Sequence, residues 1–260
     1  MDEGRHPLVL IVEDNSVNQV LAVAQLDQLG CRSVVAPTGW RALEEIEKQQ
    51  FDLILMDWQL GDIDGLETTR RIRDREASRN ARRTPVVAVT ANAMSGDRQQ
   101  CIDAGMDDFL SKPVGLADLR AAIERALFSD DPPGEDPLRT SARELEMEPE
   151  AIGRLIDEVG DVSVVAQIMS TFLEELPSRM QEVIDAMALG DFDRARRVAH
   201  TIKSTSELLG ETELAATARR IETSTTEDGV FLSDLTAELR TTVSEAHQRV
   251  AAARDALASR

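Results

Sequence analysis

The sequence predicts two folds in series: an α/β doubly wound five-stranded parallel sheet over residues 1–128 and an all-α four-helix bundle over residues 149–260. Three observations predict this. Short apolar runs alternate with amphipathic helical stretches through the first half; a segment rich in proline and acid follows; beyond it strand signals stop.

In chain order, Leu8 to Val12, Ser33 to Ala36, Leu53 to Met56, Val86 to Val89 and Asp108 to Leu110 read as strands. Helical patterns cover about 16–29, 39–49, 65–76, 94–103 and 115–128. Strands that are apolar along nearly their whole length are covered on both faces, as in a parallel sheet. Such sheets gather functional groups at the carboxyl ends of their strands, near the point where strand order reverses. Residues 129–148 are the expected linker. Ser129 to Pro137 holds three prolines, a glycine and four acids, too little apolar surface for a packed element. Helical patterns then run over about 149–158, 162–175, 178–189, 191–209, 212–224 and 231–257. Pro149 and Pro177 suit first-turn positions, and Gly190 and Gly210 suit helix stops.

Of the 260 residues, 42% are hydrophobic and 30% charged, with a net charge of −19. No basic cluster is interleaved with aromatic residues, which argues against a nucleic-acid surface. The one basic run, Arg70 to Arg83 with seven arginines, reads as a solvated helix face and loop. No stretch nears the ~18 apolar residues that cross a bilayer. The start, MDEGRHPLVLIVEDN, lacks a basic lead and a long apolar core. Cys31 and Cys101 have no motif spacing and read as reduced thiols. A cytoplasmic location without membrane insertion is therefore expected.

Four strand ends carry unusual polar groups. Glu13 and Asp14 follow the first strand, Asp57 the third, Thr90 the fourth and Lys112 the fifth. Each acid alone would read as a helix cap; together they read as one pocket. Clustered acids need a counter-charge, and hard oxygen donors suit Mg²⁺. A carboxylate in such a pocket can attack a phosphoryl group, with a lysine and a hydroxyl stabilising the developing charge. The runs LIVEDNSVNQ, DLILMDWQLGDIDGLE, PVVAVTANAM and GMDDFLSKPV resemble the receiver domains of two-component response regulators, in the style of those attached to hybrid sensor kinases. The resemblance spans about residues 7–128 and implies a flavodoxin-like fold. It implies Asp57 as phosphoacceptor, Asp14 as a metal ligand, Glu13 acting on the metal through water, and the Gln59 carbonyl as a ligand. It further implies Thr90 and Lys112 as phosphoryl contacts and Phe109 as a switch side chain. Gly61 stands where that family usually has proline.

Of the chain's three histidines, His6 is terminal and His247 lies in the last helical pattern. His200 lies in a helix whose apolar seam is Phe192, Ala195, Ala199, Ile202 and Leu209; it points away from that seam, so an exposed imidazole is expected. Arg196 and Lys203 fall on nearby turns of the same side. The string AHTIKSTSELLG, with the helix–proline–helix layout before it, resembles histidine phosphotransfer (HPt) domains over about residues 150–226. That implies His200 as a second phosphoacceptor with Arg196 and Lys203 in support. Ser204 stands where the family usually has glycine, and Glu207 adds a negative charge one turn on.

No glycine-rich phosphate loop or P-loop is found, so a phosphoryl carrier rather than a kinase is expected. The expected partners are a sensor histidine kinase and other receiver or HPt domains. Two rivals remain at this point: a binding module switched by Asp57 phosphorylation with His200 idle, and a metal-dependent phosphatase. The phosphatase reading lacks a second catalytic acid, since Gln59 sits two residues after Asp57.

Overall fold

The computed structural model of the chain describes residues 6–90, 95–128, 151–224 and 232–258. The expected linker at 129–148, Pro149 and the Ala91–Met94 part of PVVAVTANAM lie outside the described residues. The chain divides into two compact units, one holding the described residues up to Phe128 and the other those from Ala151 onward. Among the described residues no helix is long and apolar enough to cross a membrane.

In the first unit, β1 (Leu8–Val12), β2 (Arg32–Ala36), β3 (Leu53–Asp57), β4 (Val86–Thr90) and β5 (Asp108–Ser111) alternate with α1 (Ser16–Gln28), α2 (Gly39–Lys48), α3 (Gly65–Arg79), α4 (Ser95–Ala104) and α5 (Leu116–Phe128). The sheet is parallel throughout, in the order β2-β1-β3-β4-β5. Successive strand residues face opposite sides. Leu10, Val12, Ile54, Met56 and Ala88 therefore build one core, and Val9, Ile11, Leu53, Leu55 and Val87 the other. Strand order reverses between β1 and β3, and the acids of both strands leave the sheet there.

Two local expectations change in this unit. α3 runs on to Arg79 and stops at Asn80, which takes the left-handed conformation that asparagine tolerates. The basic run is not simply a solvated face. Arg73 is 13% exposed and pairs with Asp107 at 2.8 Å and Glu76 at 2.7 Å. It also donates to the Gly105 and Thr84 carbonyls, while Arg71 lies over the Trp40 ring. These arginines tie α3 to α2 and to the chain entering β4 and β5.

The second unit comprises α6 (Ala151–Val159), α7 (Val162–Ala188), α8 (Phe192–Leu209), α9 (Thr212–Thr223) and α10 (Leu232–Ala258). α7 packs on α8 and α10, and α9 closes the ring by packing on the same two helices; α6 is accessory, against α7 and α8. Ile168, Met169, Leu176, Ile202 and Leu239 are among the buried residues of this four-helix bundle. Gly190 and Gly210 stand at φ +73° and +78° directly after helices, as stops should.

The expected break before Pro177 is absent: α7 is one helix with the proline inside it. Proline removes one backbone donor and disfavours the helix there. Buried Phe172, Leu173 and Leu176 before it, and Val183 and Met187 after it, hold both halves against the same core. Tertiary burial outweighs the local penalty.

Candidate functional sites

Asp57 is the last residue of β3. Its Oδ1 accepts the Gln59 N–H at 3.2 Å and its Oδ2 accepts from Lys112 Nζ at 2.7 Å. The same ammonium donates to Glu13 Oε2 at 2.7 Å. Glu13 Oε1 in turn accepts from the Asn15 N–H at 3.2 Å and Asn18 Nδ2 at 3.1 Å. Lys112 is placed by the turn after β5, where its N–H bonds the Thr90 carbonyl at 2.7 Å and the Lys112–Pro113 peptide is cis. Behind Asp57 the α3 N-terminus passes so close that a Cβ on Gly65 would stand 2.1 Å from the Asp57 carbonyl oxygen. Only glycine fits that approach. At Gly61, by contrast, a Cβ would meet Asp14 Oδ2 at an ordinary 3.6 Å.

Glu13 and Asp57 are buried and Asp14 exposed, and each offers a carboxylate oxygen within 4.8 Å of the others. Burial pushes the Asp57 carboxyl well above the usual carboxylate range, Lys112 opposing this while Glu13 and Asp14 add to it. Burial alone would lower Lys112, but Glu13 and Asp57 outweigh it and hold the ammonium firmly charged. One ammonium against three carboxylates leaves the pocket short of positive charge. An all-oxygen donor set of this kind fits a hard divalent cation.

Thr90 ends β4 and is buried. Phe109 pairs with Ala88 and Ser111 with Thr90 across the β4–β5 ladder. Strand alternation therefore puts Thr90 and Phe109 on one face of the sheet, Phe109 packing on the core beneath.

In the second unit the structure corrects the exposed imidazole. The His200 side chain is 15% exposed, because Glu222 from α9 reaches over it. Glu222 Oε1 lies 2.6 Å from His200 Nδ1 and its Oε2 accepts from Lys203 Nζ at 2.6 Å. Lys203 Nζ is 3.4 Å from the same ring nitrogen. Arg196 is directed elsewhere, to Asp193 at 3.0 Å and the Ser224 carbonyl at 3.2 Å. Ser204 turns its hydroxyl back to the Thr201 carbonyl, and Glu207 pairs with Arg219 at 2.7 Å.

Glu222 was not among the expected site residues. A helical wheel describes one helix and is blind to its neighbour. The available signal was hairpin register: Glu222 lies 22 residues after His200, with the turn at Gly210 near the middle, and antiparallel helices juxtapose residues about equally far from their turn.

Burial would raise the Glu222 carboxyl, but hydrogen bonds from His200 and Lys203 outweigh it and lower it to about 2. A carboxylate depressed from the ordinary 4.5 contributes stability above that value and loses it as pH falls towards 2. Glu222→Gln is therefore expected to flatten the acid-induced loss of bundle stability over that window, read by helical circular dichroism in a denaturant series at each pH. Parallel acid profiles for the two proteins would refute the depressed carboxylate.

Comparison with known proteins divides the chain at the same place. Residues 9–124 match the response regulator receiver domain family and residues 167–258 the Hpt domain family. Sensor histidine kinase GacS of Pseudomonas protegens is 30% identical over 230 residues, covering 85% of this chain and 24% of GacS. Aerobic respiration control sensor protein ArcB of Escherichia coli K12 is 41% identical over 128 residues, 48% of this chain and 16% of ArcB. The chain thus spans a quarter or less of these relatives' length. Among solved structures, the receiver domain of sensor histidine kinase PA1611 from Pseudomonas aeruginosa PAO1 is 42% identical with a TM-score of 0.44, covering 48% of this chain and 100% of that one.

Proposed function

Because the chain joins a response regulator receiver domain to an Hpt domain, we propose that it is a phosphorelay carrier, with Asp57 and His200 as its two phosphoacceptors. The receiver occupies residues 1–128, the linker 129–148 and the Hpt domain 149–260. The observation that carries this reading is a nucleophile held beside a lysine in each unit. Asp57 lies 2.7 Å from Lys112, and His200 lies 3.4 Å from Lys203.

Asp57 attacks phosphorus through a carboxylate oxygen. The P–N bond to a sensor kinase histidine breaks, and its electron pair leaves with that imidazole. Lys112, already at Asp57, moves its donors to the phosphoryl oxygens, and Thr90 supplies a hydroxyl from β4. Glu13, Asp14, Asp57 and the Gln59 carbonyl are the groups that would hold Mg²⁺, which when bound neutralises the carboxylates and polarises the phosphoryl group. Phe109, on the face of the sheet that Thr90 shares, is the switch side chain, its rotamer changing with that of Thr90 when Asp57 is phosphorylated. His200 exchanges a phosphoryl group with the aspartate of a receiver domain, so the partners are a sensor histidine kinase and other receiver or HPt domains.

Asp14→Ala tests the pocket. Asp14 is exposed and its loss costs the fold little, yet it removes one of three clustered donors. Mg²⁺ binding, followed calorimetrically, and labelling of Asp57 by a small acyl phosphate are expected to be lost together. Labelling at the normal rate in Asp14→Ala would show that the metal donors are wrongly placed.

A further inference from the structure

The loop from Trp58 to Asp64 joins β3 to α3 and carries the Gln59 carbonyl, one of the groups proposed to hold Mg²⁺. On either side of its centre the loop is fixed. Leu60 is buried in the core, and Asp64 caps α3 through the Glu67 N–H at 2.7 Å. Between them stand Asp62 and Gly61, and glycine has the widest backbone freedom of any residue. A Cβ on Gly61 would lie 3.6 Å from Asp14 Oδ2, so this stretch of loop borders the acid cluster.

The Asp62 carboxylate reaches out of the loop to α2. Its Oδ1 accepts the Gly39 N–H at 2.9 Å and its Oδ2 the Trp40 N–H at 3.0 Å. The first N–H groups of a helix have no partner within it. The helix's own cap, Thr38, takes the third of them, from Arg41 at 3.2 Å. The first two are taken by Asp62, which lies 23 and 22 residues further along the chain. Burial would raise the Asp62 carboxyl, but the Trp40, Gly39 and Ile63 N–H groups and the Thr38 hydroxyl outweigh it and hold it below the usual carboxylate range. Its charge also meets the positive end of the helix dipole.

α2 is anchored without Asp62. Its Ala42 and Leu43 are buried. Gly39 backs so closely onto α3 that a Cβ there would stand 2.3 Å from Thr68 Oγ1. Arg71 of α3 covers the Trp40 ring at 4.5 Å. The helix is therefore the fixed point, and the loop is the part that is held.

We propose that Asp62 is a positioning residue for the metal site: by pinning the β3–α3 loop to the first turn of α2, it restrains the segment that carries the Gln59 carbonyl and borders Asp14. This rests on the reading of the Asp57 pocket as a Mg²⁺ site. A donor that is already held in place loses less freedom when its ligand binds. Without Asp62 the loop keeps Leu60 and Asp64 as anchors but regains the freedom of Gly61 between them. Mg²⁺ should then bind more weakly, while the chemistry of a filled site is unchanged.

The test uses the full chain. Mg²⁺ affinity is measured by calorimetry, and labelling of Asp57 by a small acyl phosphate is followed across a Mg²⁺ series on the His200→Gln background. Asp62 is exposed, so Asp62→Ala leaves no cavity. It should weaken Mg²⁺ binding about tenfold, the lower end of the 10–100-fold cost of losing a group that orients a metal ligand. The labelling rate should fall at low Mg²⁺ and return to its original value once Mg²⁺ saturates. In the metal-free protein, amide exchange at Gly39 and Trp40 should quicken. Adding Gly61→Pro to Asp62→Ala should recover the affinity, because Gly61 takes no positive φ and proline removes the freedom that glycine brings. Unchanged Mg²⁺ affinity in Asp62→Ala, or a labelling deficit that persists at saturating Mg²⁺, would overturn the proposal. So would a double variant that stays weak although Gly61→Pro alone binds Mg²⁺ normally. A wild type that binds no Mg²⁺ would defeat the pocket reading itself, and the proposal with it. Weaker Mg²⁺ binding in Asp62→Ala, with no label on Asp57 in any protein, would uphold the positioning and defeat the acceptor reading.

Discussion

Asp57→Asn is expected to abolish phosphoryl acceptance by the receiver while leaving its fold intact. Asparagine keeps the shape of the side chain and one carbonyl oxygen, so the Gln59 N–H bond at 3.2 Å can persist. The amide lacks the anionic oxygen that attacks phosphorus, and removal of a nucleophile commonly costs on the order of 10⁴-fold or more. Stability should be unchanged or higher. Burial opposes the Asp57 charge, and Glu13 and Asp14 add repulsion; the neutral amide is free of both, as often happens when a functional acid is removed. Lys112 keeps Glu13 as its partner at 2.7 Å. Quantifying acyl phosphate on the His200→Gln background isolates the effect, and thermal unfolding checks the fold. Wild-type labelling in that background would mean that another acid is the acceptor.

Lys112→Met is expected to have the largest effect on stability. The lysine, Glu13 and Asp57 side chains are 14%, 7% and 8% exposed, and the ammonium lies 2.7 Å from both acids. Removing one partner of a buried ion pair costs about 3–5 kcal/mol, because the remaining charge is left without compensation. Protonation of one acid would limit the loss, so about 3 kcal/mol is expected without divalent cation. Mg²⁺ should recover much of it: a ligand that binds only the folded state adds roughly 2.7 kcal/mol at 100 times its Kd. Urea unfolding with and without Mg²⁺ measures both quantities. A loss below about 1 kcal/mol without Mg²⁺ would show that Lys112 does not neutralise the pocket.

The sheet was legible because its signals are local. Strands as apolar as Leu8–Val12 and Val86–Thr90 need no distant information, and Glu13, Asp14, Asp57 and Lys112 converge once the strand order follows. What escaped depends on a second element. Pro177 reads as a helix start on local rules alone, but Leu173 and Val183, buried on either side of it, keep α7 continuous. Arg73 looked solvated because its partners Asp107 and Gly105 come from the approach to β5. His200 looked exposed because Glu222 belongs to another helix. Arg196 shared a side with His200 on the wheel, yet its reach to Ser224 is fixed only when α9 is in place.

The relay is tested most directly by labelling the full chain with a small acyl phosphate in Mg²⁺ and assigning the label by its chemistry. Hydroxylamine removes an aspartyl phosphate, whereas a phosphohistidine survives alkali and is lost in acid. Wild-type protein is expected to carry both kinds, Asp57→Asn only the acid-labile kind and His200→Gln only the hydroxylamine-sensitive kind. Label confined to Asp57 in every protein, with no phosphohistidine in the wild type or in Asp57→Asn, would contradict a two-acceptor relay.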